Sequence, residues 1–342
     1  MSSPLQPPAA VGLDIGGANT KAAVVDGDKP VRVASEPFEV WRRPDALAGA
    51  IASVVGRLGA EGAPVAMSTT AELVDAFRTK REGVLHVLDA ARSALAGREL
   101  RVINTDGELI GFDQARTAPL RCAAANWVAT AMLIARSIPD AIMLDCGGTT
   151  TDVIPIQGGE VVAQGHTDVE RLLSGELVYT GALRTNVATI VSHVPIGGRP
   201  CPVSSELFAV SADAHLLRGS LTSDECTCTF PDGRGASLPE ARARLARVVC
   251  ADPEQLGEGD IEAIAAAVEE AQVAAIAGAL ERVIARISTD TPVIVVGAGA
   301  FLARAAVAQC GLAIVDDSGA PALAGTAGDV AAAVALSVLG RD

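Results

Sequence analysis

Apolar residues gather in short runs that stop at paired glycines. Val11 to Ile15 is the first run and ends in Gly16-Gly17, and Lys21 to Val25 is the second. Asp26-Gly27-Asp28 signals a turn, and Val31 to Val40 reads as a third extended segment. This order predicts a three-stranded antiparallel meander. The period then changes. After Pro44, which sacrifices no hydrogen bond in a first helical turn, Leu47, Ala50, Ile51, Val54, Val55 and Leu58 recur at three- and four-residue steps. Val65 to Met67 and Leu100 to Ile103 are short strand candidates. The helix between them places Val84, Leu85, Leu88, Ala91 and Leu95 on one face, and Arg121 to Arg136 reads as an alanine-rich helix.

The pattern then restarts. Ile142 to Asp145 is apolar and leads into Gly147-Gly148, Asp152 to Ile156 follows, and a Gly158-Gly159 turn precedes Val161 to Ala163. This strand, loop, strand, turn, strand order repeats that of the N-terminus, so an internal duplication organises the chain. Residues 165–240 hold turn clusters and polar residues and read as an inserted substrate-binding region. From Gly259 a helical pattern runs to Ile287, and Val293 to Val296 is a strand feeding Gly297-Ala298-Gly299 and another helix. The apolar stretch from Ala320 to Leu339 is interrupted by Asp329 and rich in alanine and glycine, so it reads as a buried helix and not a membrane span. The expected domains are 9–137, 138–320 and a C-terminal helix, 321–342, packed back on the first domain.

A length of 342 residues suits two domains. Hydrophobic residues make up 49% and aromatics only 3%, so the cores must be built from Ala, Val, Leu and Ile. The 27 Lys+Arg against 41 Asp+Glu leave a net charge of −14, which argues against nucleic-acid or anionic-membrane partners. Small-molecule substrates are the expected partners, and a homo-oligomer is left open. The N-terminal stretch has neither the basic nor the apolar region of a secretion signal, so a cytoplasmic protein is expected. Among the 7 cysteines only Cys226 and Cys228 are close and no C-x-x-C pair occurs, which disfavours a disulfide framework and, with 4 scattered histidines, a zinc site.

Two loops carry the chemistry. In Asp14-Ile15-Gly16-Gly17-Ala18-Asn19-Thr20-Lys21 the glycines let backbone N–H groups converge on one spot, Asn19 and Thr20 add side-chain donors, and Lys21 adds charge. Asp14, at a strand end, suits a hydrated Mg2+ ion. In Asp145-Cys146-Gly147-Gly148-Thr149-Thr150-Thr151-Asp152, threonines beside two glycines make a dense donor loop flanked by carboxylates. Either loop alone reads equally as a hairpin turn. Two such loops after similar strands point to phosphate or diphosphate binding. Gly297 and Gly299, at a strand-to-helix turn, suit a phosphate or nucleotide, or simply close strand–helix packing. An amide-rich turn would lower the pKa of Cys146, although a space-filling role weighs more.

The two loops and the late Val296-Gly297-Ala298-Gly299 resemble the phosphate and adenosine motifs of the actin/Hsp70/sugar-kinase superfamily. The implied fold is α/β, actin-like (ribonuclease H-like), with two duplicated domains around a central cleft. The second loop is most similar to the hydantoinase A/oxoprolinase branch. Met67-Ser68-Thr69-Thr70-Ala71-Glu72, Phe77 to Val84 with Lys80, Asn126-Trp127, Thr167-Asp168, Glu176 to Gly181 with Tyr179, Leu183-Arg184-Thr185 and Ser205-Glu206 resemble the tetrahydromethanopterin-linked one-carbon proteins of that branch. Its archaeal members include the methanofuran-biosynthesis enzyme that joins an aminomethylfuran diphosphate to γ-glutamyltyramine.

That resemblance implies alkyl transfer. A phenol oxygen attacks a furfuryl carbon, diphosphate leaves, and an aryl ether forms. In a methylofuran-type coenzyme the acceptor would be a tyrosine derivative. The loops and Mg2+, held by Asp14 and Asp145, would stabilise the leaving group. Asp152, Glu72, Asp75 and His193 are candidates for the base, with Asp152 favoured because it adjoins the second loop. Glu72, Lys80, Asn126, Tyr179 and Arg184 are candidate substrate residues. Lys80 and Arg184 can neutralise a glutamyl carboxylate or the diphosphate, and Tyr179 can stack on a ring or fill the core. The alternatives are an ATP-dependent kinase or ATPase, a hydantoinase-like hydrolase subunit, or an actin-like scaffold.

Overall fold

The structure, a computed structural model, describes residues 10–26, 29–288, 291–315 and 331–341. The N-terminal stretch before Ala10, the Gly27-Asp28 part of the predicted turn and residues 320–330 of the predicted C-terminal helix lie outside the described residues. The strands are β1 (Val11–Gly16), β2 (Asn19–Asp26), β3 (Lys29–Pro37), β4 (Val65–Thr70), β5 (Leu100–Ile103), β6 (Leu109–Gly111), β7 (Ala141–Cys146), β8 (Thr151–Gln157), β9 (Glu160–Val161), β10 (Leu177–Val178), β11 (His193–Ile196), β12 (Arg199–Pro202) and β13 (Val293–Val296). The helices are α1 (Leu47–Gly56), α2 (Lys80–Ala94), α3 (Phe112–Thr117), α4 (Asn126–Ser137), α5 (Asp168–Ser174), α6 (Val187–Ile190), α7 (Ser211–Arg218), α8 (Leu238–Arg247), α9 (Glu258–Ile284), α10 (Ala300–Gln309) and α11 (Ala331–Leu339).

The chain forms two compact units, 1–143 with 154–171 and 315–342, and 144–153 with 172–314. The expected division at 137/138 therefore becomes an exchange of segments. In the first unit the sheet order is β3-β2-β1-β4-β5-β6. Strands β1, β2 and β3 form the antiparallel meander, and β4 joins β1 in parallel with Gly16 opposite Thr70. Leu13, Ile15, Ile51, Val54, Met67, Val84 and Leu88 are buried together where α1 and α2 cover the sheet. Helix α2 starts sharply because the Thr79 hydroxyl accepts from the Glu82 amide (3.1 Å) while the Glu82 carboxylate accepts from the Arg78 amide (2.9 Å). Helix α11 packs on β1, β2 and α4, and the Ser337 hydroxyl accepts from the Val25 amide and donates to the Ala10 carbonyl.

Three boundaries differ from the sequence pattern. Strand β3 stops at Pro37, and the amides of Phe38 and Val40 turn instead to the carbonyls of Ala18 and Gly17. The helix expected from Arg121 begins only at Asn126, because Ala124 takes a left-handed conformation (φ 51°) after the short turn Pro119–Cys122. Strand β4 runs on to Thr70.

The second sheet has the order β10-β8-β7-β13, with β9 beside β8. Its β9-β8-β7-β13 run repeats β3-β2-β1-β4 of the first sheet. In the second unit α7, α8 and α10 pack on α9, the one helix among the described residues long and apolar enough to cross a membrane. Its Ile261, Ile264, Val268 and Ile276 are buried. Arg244 is fully buried there, paired with Asp213 (2.8 Å) and Asp232 (3.0 Å) and stacked over Phe230.

Candidate functional site

The first loop closes the β1–β2 hairpin, with Ile15 opposite Thr20 and Asp14 opposite Lys21. The carbonyls of Gly17 and Ala18 are taken up by Val40 (2.9 Å) and Phe38 (2.8 Å). The amides of the same two residues have no partner among the described residues. A hairpin whose carbonyls are engaged and whose amides are not is an anion-binding turn in outline. Asn19 and Lys21 are half-buried. Thr20 is fully buried, and its hydroxyl lacks a partner. Asp14 is buried and accepts a 2.7 Å hydrogen bond from the Ser68 hydroxyl on β4, which fixes the carboxylate at the end of its strand.

The second loop has the same construction. The Gly147 amide donates to the Thr150 carbonyl (2.9 Å) and closes the turn. The amides of Gly148, Thr149 and Thr150 have no partner among the described residues. The loop rests on residues 181–184: the Gly147 carbonyl accepts from Ala182 (3.0 Å), and the Gly148 carbonyl accepts from Leu183 and Arg184 (2.9 Å each). Gly181 permits that approach, since a Cβ there would lie 2.5 Å from the Thr149 nitrogen. Gln272, buried on α9, braces the support by donating to the Thr180 hydroxyl (2.7 Å) and the Gly181 carbonyl (2.9 Å), while its oxygen meets His215 Nε2 at 2.9 Å.

Several predicted residues turn out to hold this loop in shape. The Thr151 hydroxyl is buried and donates to the Thr180 carbonyl (2.8 Å), so its proton is spent within the protein. The Gly299 amide donates to the Cys146 carbonyl (2.7 Å), and a Cβ on Gly297 (φ 96°) would strike that same carbonyl. The two glycines therefore press the β13–α10 turn against β7, which is the packing alternative. Burial pushes the Cys146 thiol up to about 12, not down. Asp145 is half-buried with its carboxylate against Gly297, and Asp152 is buried on β8 opposite Leu177. Arg184 is half-buried beside the loop. Tyr179 is 60% exposed and does not fill the core.

In the first unit a cluster forms around Glu72, just beyond β4. Its side chain is 2% exposed, and one carboxylate oxygen has no partner. Burial raises its pKa to about 7, opposed by its own amide and by Lys80, helped by Asp168, and opposed again by the Ala124 amide. Lys80 and Asp168 pair at 2.5 Å. Asn126 is half-buried at the start of α4, and Arg171 lies over the ring of the buried Trp127 at 4.6 Å. Asp75 and His193 are exposed. The Lys80–Asp168 pair spans 88 positions, so no local spacing announced it.

A profile of the hydantoinase/oxoprolinase family matches residues 65–337. The chain belongs to that family. Within it, the chain is 36% identical to the (4-{4-[2-(gamma-L-glutamylamino)ethyl]phenoxymethyl}furan-2-yl)methanamine synthase of Methanocaldococcus jannaschii over 252 residues, 73% of this chain and 74% of that one. It is 37% identical to the enzyme of the same name from Methanococcus vannielii over 117 residues, 34% of this chain and 52% of that one. Among solved structures, nucleotide-free acetone carboxylase, from work on ATP-dependent acetone carboxylation, aligns with a TM-score of 0.58 at 13% identity, covering 97% of this chain and 70% of that one. The PilM–PilN type IV pilus biogenesis complex aligns at 0.51 and 15% identity, covering 97% and 98%. These likenesses show the fold alone, and this hydantoinase/oxoprolinase family member has the expected α/β, actin-like (ribonuclease H-like) architecture.

Proposed function

We propose that this protein is a transferase that joins an aminomethylfuran methyl diphosphate to the phenol of a tyramine or tyrosine derivative, forming an aryl ether and releasing diphosphate. The observation that carries the reading is the 36% identity to the furanmethanamine synthase across about three quarters of both chains. The product in that enzyme's name holds a phenoxymethylfuran ether, the bond this reaction makes. The geometry of the loops supports it, because the hard part of the reaction is departure of the diphosphate.

The furan ring stabilises positive charge on the furfuryl carbon as the C–O bond breaks, so catalysis depends on holding the departing charge. Each loop presents amides with no other partner, Gly17 and Ala18 in one and Gly148 to Thr150 in the other. Amides fixed in advance strengthen their hold as negative charge develops, without reorganising. No group of three or more His, Cys, Asp or Glu gathers for a metal among the described residues. Mg2+ commonly uses one or two carboxylates and takes its other ligands from water and phosphate, a role open to the Asp14 carboxylate in the first unit and to the Asp145 carboxylate in the second, each near the end of the strand that leads into its own loop. Bound there, Mg2+ would neutralise charge on the diphosphate. Asn126, Tyr179 and Arg184 remain the residues proposed to meet the organic parts of the substrates, as small-molecule partners of a cytoplasmic enzyme.

The test is direct. Purified protein is given the synthetic furan diphosphate, Mg2+ and γ-glutamyltyramine or tyrosine, and the products are read by mass spectrometry and diphosphate release. The expected outcome is an aryl ether and diphosphate in equal amounts. Diphosphate release without ether, or neither product with either phenol, rejects the reading. An ATP-dependent kinase or ATPase is the second reading, favoured by the ATP-dependent acetone carboxylase that shares the fold. ADP formation would identify it.

A further inference from the structure

We propose that Glu72 is the general base that takes the phenol proton in ether formation, an assignment that rests on the transfer reaction proposed above. Strands β1 and β4 run parallel with Gly16 opposite Thr70, so the first loop and the segment after β4 leave the sheet side by side at its carboxyl edge, where open α/β sheets bind ligands. The contact continues past the strands, since a Cβ on Gly17 would lie 2.9 Å from the Val74 side chain. Glu72 sits between Thr70 and Val74, in the stretch of chain that borders the first loop at Gly17.

Its surroundings are built to hold it. Helix α2 presses Gly83 on the Glu72 backbone, so closely that a Cβ there would lie 2.5 Å from the Glu72 carbonyl oxygen and 2.6 Å from its Cα. The charged groups that face the carboxyl are Lys80 of α2 and Asp168 of α5, joined to each other at 2.5 Å. Just before α4, Ala124 takes a left-handed conformation that alanine disfavours, and its amide, which donates to the Thr69 carbonyl (3.1 Å), lies close enough to the carboxylate to favour its charged form. One carboxylate oxygen of this 98%-buried side chain is left without a partner among the described residues. A buried acceptor kept unsatisfied is expensive unless a ligand completes it, and a phenol O–H does so. Burial also brings the carboxyl to about 7, so near neutrality it is both available as carboxylate and basic enough to share a proton with a phenol. Asp152, the sequence favourite, is already engaged by neighbours.

In the step itself the phenol proton moves to the Glu72 carboxylate as the phenol oxygen bonds to the furfuryl carbon. The bond from that carbon to diphosphate breaks, and its electron pair leaves with the diphosphate. Glu72 then returns the proton to solvent.

The experiment compares wild type with Glu72→Gln, using a tyramine-type phenol and an electron-poor nitrophenol that is largely ionised before it binds. With the first acceptor the variant should lose about 10²–10⁴-fold in kcat with KM little changed. With the second, most of that loss should disappear. Wild-type kcat should fall as pH drops through about 7. Lys80→Met, which removes a positive neighbour, should move that limb to higher pH, and Asp168→Asn should move it lower. Equal losses with both phenols, or wild-type rates in Glu72→Gln, overturn the assignment and leave the transfer reading standing. A wild type that forms no ether removes both. Should Glu72→Gln fail to fold by circular dichroism, the opposite shifts in the other two variants decide.

Discussion

Removing the charge from Glu72 should stabilise the protein at the same time as it slows it. The carboxyl titrates at about 7 in the fold against 4.5 in a solvated chain, because burial disfavours its ionised form. Between those values the folded state holds a proton that the unfolded chain has released. Stability contributed by this group is therefore complete below about 4.5 and is lost as pH rises toward 7. The difference of roughly 2.5 pKa units corresponds to on the order of 3 kcal/mol at pH 8. Glu72→Gln escapes that loss, so its melting temperature should exceed wild type at pH 8 and converge with it near pH 4.5. A melting temperature lower than wild type at pH 8 would show that the carboxylate is held by interactions stronger than its burial penalty. A substitution that raises stability and lowers activity marks a residue kept for function. The sequence placed Glu72 among the candidates because its neighbours matched a family pattern. It could not show the burial, which depends on Gly83, Ala124 and the distant Asp168.

At the scale of elements, the second loop takes its shape from the segment beneath it. A methyl group at position 181 would lie 2.5 Å from the Thr149 nitrogen and 2.7 Å from the Gly147 oxygen. Both are backbone atoms, and neither can yield without moving the loop. Gly181→Ala should therefore lower stability by about 1–3 kcal/mol, the usual effect of overpacking, and weaken binding of magnesium pyrophosphate by at least about tenfold, since 1.4 kcal/mol of lost amide contact suffices for that. Calorimetric titration reads the second effect and denaturant unfolding the first. Unchanged pyrophosphate affinity would mean that residues 147–150 are not where the anion sits. The loop was legible in the sequence because its glycines and threonines are contiguous. Its support was not, because the bonds from residues 181–184 and from Gln272 join positions that share no periodicity. For the same reason the elements between residues 165 and 247 went unresolved. They are short, and those from Val187 onward bury apolar residues such as Val187, Val194, Ala214 and Leu245 in one cluster with α9 instead of displaying a helical or strand repeat of their own.

For the molecule as a whole, the duplication was readable because it is written twice, as two apolar runs each closed by paired glycines, and the two sheets repeat it in strand order. The exchange of segments between units was not, since 154–171 and 315–342 carry no mark of the unit they join. The choice between a nucleotide and a diphosphate also belongs to this scale. A chain of net charge −14 repels anions at a distance, so any phosphate it binds must be held by local amides and a cation. Both loops offer such amides. The Gly297-Ala298-Gly299 turn, the feature that would have argued for an adenine nucleotide, spends its Gly299 amide on Cys146 and its two glycines on close packing. Magnesium pyrophosphate should accordingly bind, and magnesium ATP should bind at least about tenfold more weakly, a difference of 1.4 kcal/mol or more. Calorimetry of the full chain with each ligand in turn makes the comparison. Tight ATP binding with ADP formation would move the protein to the kinase or ATPase reading. Pyrophosphate preference would mean that a fold whose relatives include an ATP-dependent enzyme here holds a leaving group, with the chemistry supplied by the furan and by the base that accepts the phenol proton.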